Sequence, residues 1–140
     1  MRRAAVLVLC LLATRALECS PVVRVRTEIR LPVSITPNPA QLHLTLALGT
    51  TTLPAPAPST APLTEHHVIE TTRHGFVSEI HIRGHRHWVQ LTAWVDVNGN
   101  AVLDSGDYIG SLPSAVEASD RGLCAGNMNE TPPIGLRVVP

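Results

Sequence analysis

Residues 76–97 read FVSEIHIRGHRHWVQLTAWVDV. Phe76, Ser78, Ile80 and Ile82 alternate with Val77, Glu79, His81 and Arg83. Past Gly84, Val89, Leu91, Ala93, Val95 and Val97 alternate with Trp88, Gln90, Thr92, Trp94 and Asp96. Successive side chains of a strand point to opposite faces, so a period of two over this length describes two half-buried strands. A one-residue slip would turn a whole apolar face to water, which fixes the register. Gly84 marks a turn between them, expected to be a hairpin like the one at His74-Gly75.

The same alternation extends outward. Val23, Val25, Thr27, Ile29 and Leu31 define a first strand, and Leu42, Leu44, Leu46 and Leu48 a second. Residues 65–71 define a third around Val68 and Ile69. A short strand is expected at 108–112 or near 115–118. A last one carries Ile134, Leu136 and Val138 on one face and Arg137 on the other. Nothing holds a 3.6-residue period for a useful length, and 12 prolines disfavour long helices. The fold class is all-β, an immunoglobulin-like or transthyretin-like antiparallel sandwich of about seven strands. Val89, Leu91, Ala93 and Val95 should face its core with Leu42, Leu44, Leu46, Ile80, Ile82 and Leu136. Residues 49–63, GTTTLPAPAPSTAPL, read as a stiff Pro-rich surface loop linking two strands, since its four prolines cannot donate to a ladder.

Composition narrows the function. The 140 residues suit one domain, expected over 17–140, and 44% hydrophobic content is enough for a core. All 11 basic residues are arginine, so lysine-based chemistry is excluded. Net charge is +0 and aromatics are 3%, which gives neither a basic face nor stacking platforms for nucleic acid. Arg2 and Arg3 precede an apolar run over 4–13, too short to span a bilayer. Small residues at Thr14 and Ala16 place signal cleavage after Ala16. The expected location is secreted, periplasmic or in the cell envelope. The mature chain would keep Cys19 and Cys124, read as one disulfide contributing about 4–5 kcal/mol. A lipid anchor at Cys19 is the competing reading, disfavoured by Glu18, because a lipobox has a small residue there.

One segment carries chemistry. Residues 96–107 read DVNGNAVLDSGD and hold three of the chain's four aspartates. Counting from Asp96, oxygen-bearing side chains fall at positions 1, 3, 5, 9 and 12: Asp96, Asn98, Asn100, Asp104 and Asp107. Val102 stands at position 7, where a backbone carbonyl would ligate. Ca²⁺ is a hard cation that takes six to eight oxygens, and alternate side chains on a tightly wound loop converge on one point. The segment resembles an EF-hand loop, and its DVNGN opening the dockerin variant of it. The resemblance covers twelve residues and implies a local calcium site of modest affinity. Two departures stand out. Ala101 occupies position 6, where such loops carry Gly for a left-handed turn, and Asp107 at position 12 is one methylene shorter than Glu. The flanks read as strands, so the loop is similar to strand-mounted EF-like loops of secreted β-sandwich domains.

A second cluster is His66, His67, His74, His81, His85 and His87. His85-Arg86-His87 resembles the HxH of cupin metal sites, but no Glu follows it within residues 88–95. A second metal site over His81, His85 and His87, for zinc, copper or iron, is therefore the alternative to solvent-facing histidines. Asn129-Glu130-Thr131 is a glycosylation sequon. The leading expectation is a secreted calcium-binding module, non-enzymatic and monomeric, with a protein or glycan partner. The alternatives are a metal-dependent enzyme using the histidines and a lipid-anchored envelope protein.

Overall fold

A computed structural model describes residues 20–121 and 127–140. The alternating segments become strands: β1 (Val22–Arg30), β2 (Leu42–Gly49), β3 (His66–Thr72), β4 (Gly75–Arg83), β5 (Arg86–Val95), β6 (Tyr108–Ser111), β7 (Val116–Ser119), β8 (Met128–Glu130), β9 (Ile134–Gly135) and β10 (Arg137–Val138). They form two sheets. The first runs β3-β4-β1-β8, with β9 also on β1; the second runs β10-β6-β5-β2, with β7 also on β5. The architecture is an all-β sandwich. Most pairings are antiparallel, but β8 and β9 lie parallel to β1. Both proposed sites for the sixth strand are strands, and each takes part of β5.

The faces fall as the alternation requires. Val23, Val25 and Ile29 meet Phe76, Ile80 and Ile82 from the first sheet, and Leu42, Leu44, Val89, Leu91, Ala93 and Val95 close the core from the second. Leu46 is only partly buried.

Three expectations change. The Gly84 turn is not a hairpin. β4 pairs with β1 and β3, whereas β5 pairs with β2, β6 and β7, so the chain crosses from one sheet to the other between them. Both edges of β4 are taken by β1 and β3, so β5 has no free edge of β4 to pair with and joins β2 in the other sheet. The crossing is tied by Gly84 N donating to Pro21 O at 3.0 Å and by a 2.7 Å contact of His87 Nε2 with Arg83 O. The hairpin at His74-Gly75 does form, joining β3 to β4. A Cβ on Gly75 would lie 1.9 Å from Ile29 O, so only glycine fits there.

The last strand also divides. Ile134–Gly135 pairs with β1 and Arg137–Val138 with β6 in the opposite sheet. The switch falls at buried Leu136, and the altered facing leaves Val138 exposed instead of inside.

The Pro-rich segment does more than link β2 to β3. It lies across the outer face of the second sheet, where Thr92 Oγ1 donates to Pro56 O at 3.1 Å, Trp94 Nε1 donates to Ser59 O at 3.3 Å and Ser59 N donates to Thr45 Oγ1 at 3.1 Å. Carbonyls that the prolines leave without ladder partners thus accept from the sheet's outward side chains. Trp94 retains only 1% exposure, although it points away from the core.

Candidate functional site

The 96–107 loop joins β5 to β6, and its ends are pinned to other segments. Asp96 N donates to Gln41 O and Gln41 Nε2 to Val97 O, both at 3.0 Å. Gly106 N donates to Val139 O at 3.0 Å, and Val139 N to Asp107 O at 2.7 Å.

Within this frame, each oxygen-bearing side chain turns back on the loop. Asp96 Oδ1 accepts from Gly99 N at 2.7 Å and Asn100 N at 3.3 Å, and its Oδ2 accepts from Ala101 N at 2.7 Å. Asn98 Oδ1 accepts from Asn100 N at 3.0 Å, and Asn100 Oδ1 from Val102 N at 2.8 Å. Asp107 Oδ1 accepts from Val97 N at 3.0 Å and its Oδ2 from Asp104 N at 3.1 Å. Asp104 receives the amide groups of Asn98 (3.2 and 3.3 Å) and Asn100 (2.7 Å). Asn98, Asn100 and Asp104 thus meet directly, while Asp96 and Asp107 lie buried at the loop's base. Val102 is exposed. Among the described residues, no three His, Cys, Asp or Glu side chains gather as a metal-holding group. The three carboxylates are instead held separately, two by backbone N–H groups and one by asparagine amides.

Burial raises the Asp96 pKa, but N–H donation from Ala101, Gly99 and Asn100, with the nearby charge of His43, outweighs it and leaves the carboxyl below its ordinary value. His43 itself stacks on Trp94, with ring centroids 4.4 Å apart. Neither Gln41 nor His43 was singled out by the sequence. Both reach the loop through the β2–β5 register, in which Leu42 lies opposite Val95 and His43 opposite Trp94.

The donor set suits a hard cation. Five oxygen-bearing side chains lie at loop positions 1, 3, 5, 9 and 12, although the Asn98 and Asn100 amides here turn N–H rather than oxygen toward Asp104. The residues present therefore fit Ca²⁺ by chemistry.

The histidines His81, His85 and His87 have separate partners. His81 Nε2 lies 2.7 Å from Glu79 Oε1, His85 Nδ1 2.8 Å from Asp120 Oδ2, and His87 Nε2 contacts the Arg83 carbonyl. The sequon asparagine is engaged as well. Asn129 Nδ2 contacts Arg24 O, Ser119 O and Asn127 O at 3.0 Å each, and its Oδ1 accepts from Ser119 N at 3.2 Å. It ties β1 of the first sheet to β7 of the second instead of presenting its amide to solvent. The expected signal segment and both cysteines of the expected disulfide, Cys19 and Cys124, lie outside the described residues.

Comparison of the chain with family models, curated proteins and solved structures gives no match.

Proposed function

We propose that this chain is an exported β-sandwich module whose Asp96–Asp107 loop binds a structural Ca²⁺ ion, and that its role is binding or structural. The observation that carries the reading is Ala101, which adopts φ 62° at the sixth loop position. A left-handed conformation costs an L-residue about 1–2 kcal/mol. Held strain of this kind is a pointer to function. Here it gives the loop the turn that a calcium loop ordinarily obtains from glycine. Asp96, Asn98, Asn100, Asp104 and Asp107 would supply side-chain oxygens and Val102 its carbonyl, and the ion would bind these loop ends together.

Export is supported by the apolar N-terminal segment and by strand register. β1 and β8 are parallel, with Arg24 beside Met128. A cysteine precedes each of these residues by four or five positions, so the chain enters adjacent strands from the same end with a thiol upstream in each. A Cys19–Cys124 disulfide follows from the proposal. Its check is the intact mass of the native protein after non-reducing alkylation: two blocked thiols, or a lipid adduct on Cys19, would overturn it.

Calcium titration of the mature chain, followed by calorimetry and thermal melting, tests the main reading. Kd is expected near 10⁻⁴–10⁻³ M, about that of extracellular modules. Ten times Kd should add about 1.4 kcal/mol of stability. Asp96→Ala should abolish that increment, and Ala101→Gly should raise the calcium-free melting temperature by relieving the turn while keeping the increment. A melting curve unmoved by millimolar Ca²⁺ would overturn the proposal.

A further inference from the structure

The outer face of the first sheet holds a second arrangement, distinct from the loop. His66 on β3 lies directly opposite His81 on β4. Their rings meet edge to face, with centroids 5.1 Å apart and planes at 63°. A dication about 2.0–2.1 Å from one nitrogen of each ring, at a tetrahedral angle, would hold the centroids about 5 Å apart. The observed centroid separation falls at that distance, which is also an ordinary edge-to-face spacing, so a shared metal requires only ring rotation to turn one nitrogen of each toward it.

Glu79 fixes the chemistry of His81. Glu79 Oε1 lies 2.7 Å from His81 Nε2 and also accepts from Arg24 Nη2 at 2.7 Å and Nε at 3.1 Å. The double donation from the Arg24 guanidinium pairs Glu79 as a carboxylate. An ionised carboxylate can only accept, so the proton between the two groups sits on His81 Nε2. In the neutral ring this leaves the Nδ1 lone pair for a ligand. A histidine that donates one ring N–H to a carboxylate and offers its other nitrogen is the usual arrangement of a metal-bound imidazole. Space is present as well: an open cavity of ≈ 580 Å³ is lined by His66, His81, Glu65, Arg83, Val22 and Thr64. Glu65 and Arg83 bring opposite charges to its wall.

We propose that His66 and His81 form a binding site for a borderline transition-metal dication such as Zn²⁺ or Cu²⁺, with Glu79 as the residue that positions His81. Water completes the coordination, since among the described residues no third His, Cys, Asp or Glu joins them. Imidazole selects these ions over Ca²⁺, which keeps the site chemically separate from the oxygen loop. His85 and His87 have no part in it.

The test is calorimetric titration of the untagged, chelator-stripped full chain with Zn²⁺ in millimolar Ca²⁺, so that the loop's state does not bear on the result. One Zn²⁺ per chain is expected. His66→Gln and His81→Gln should each weaken binding at least about tenfold, and Glu79→Gln about 10–100-fold. His85→Gln and His87→Gln should leave Kd unchanged. Melting curves of each variant without metal show that the sheet is intact. For Glu79→Gln, the expected result is a weakened Kd with a metal-free melt that stays cooperative and falls only by the small loss of the Arg24–Glu79–His81 contacts. Absence of binding to the wild-type chain overturns the proposal. So does binding that survives loss of His66 or His81, or that is lost with His85 or His87.

Discussion

The two outer faces of this sandwich come from equally regular alternation and end in opposite environments. On β4 the outward residues are Val77, Glu79, His81 and Arg83, and they remain half-buried or exposed. On β5 they are Trp88, Gln90, Thr92 and Trp94, of which the last three are buried. The difference lies in side-chain chemistry. A face of Glu, His and Arg keeps its charges in water. Trp, Gln and Thr can be covered provided that something accepts their hydrogen bonds, and the carbonyls of Pro56, Ser59 and Leu112 do so. Alternation identifies the core face of a strand, whereas the composition of the other face shows whether it can be covered.

The largest expected contrast is between the covered and open faces. Trp94→Ala should cost about 3–5 kcal/mol, as a core truncation does, because Trp94 is enclosed between the sheet and the Pro-rich segment. Val68→Ala, on the outward side of β3 at 46% exposure, should stay within about 0.5 kcal/mol. Urea unfolding of both variants measures the difference. Similar small losses at both positions would mean that the segment lies loosely over the sheet.

A finer version uses Thr92, whose hydroxyl donates to Pro56 O and lies 2.7 Å from Ser111 Oγ. Thr92→Val keeps the volume but strips Pro56 O of that donor. The cost should be about 1–3 kcal/mol, with faster proteolytic cleavage within residues 50–63. Unchanged cleavage would show that hydrogen bonding to β5 does not hold the segment down.

These contrasts also mark what was legible in the sequence. The strands and their inner faces were, because a period of two is a local signal imposed by the pleat. In the 96–107 loop the left-handed residue was legible from its sixth position, at Ala101, whereas the gathering of the loop's oxygens was not: its carboxylates are held apart by backbone N–H groups and asparagine amides. The nature of the Gly84 turn was not: a hairpin and a crossing between sheets begin with the same residues, and only the partners of β4 and β5 decide. Gln41 and His43 beside the loop, and His66 beside His81, were likewise invisible as pairs. Register between strands distant in sequence brings them together, and no local spacing encodes it. The cover over β5 left a trace in Trp94 and Thr92, but its donor-poor composition suited a solvated loop equally well.

The smallest expected effect separates the two faces by pH. Hydrogen bonds from His81 and Arg24 lower the folded-state pKa of Glu79 on the open face. A carboxyl with a depressed folded pKa contributes stability above its unfolded value, about 4.3 for Glu, and loses that contribution as pH falls through the folded value. The row Thr45, Thr92 and Ser111 on the covered face contains no ionisable group. Comparing the melting temperatures of the wild-type protein and Glu79→Gln across acid pH isolates the term, because Asp96 and the other carboxylates titrate alike in both. The wild type should be the more stable near neutrality, and the two curves should converge as Glu79 is protonated. Because Glu79 is 25% exposed, the gap should stay well below the Trp94 effect. Parallel curves over the whole range would mean that the Arg24–Glu79–His81 contacts contribute nothing to folding, and that their value lies only in fixing the proton on His81.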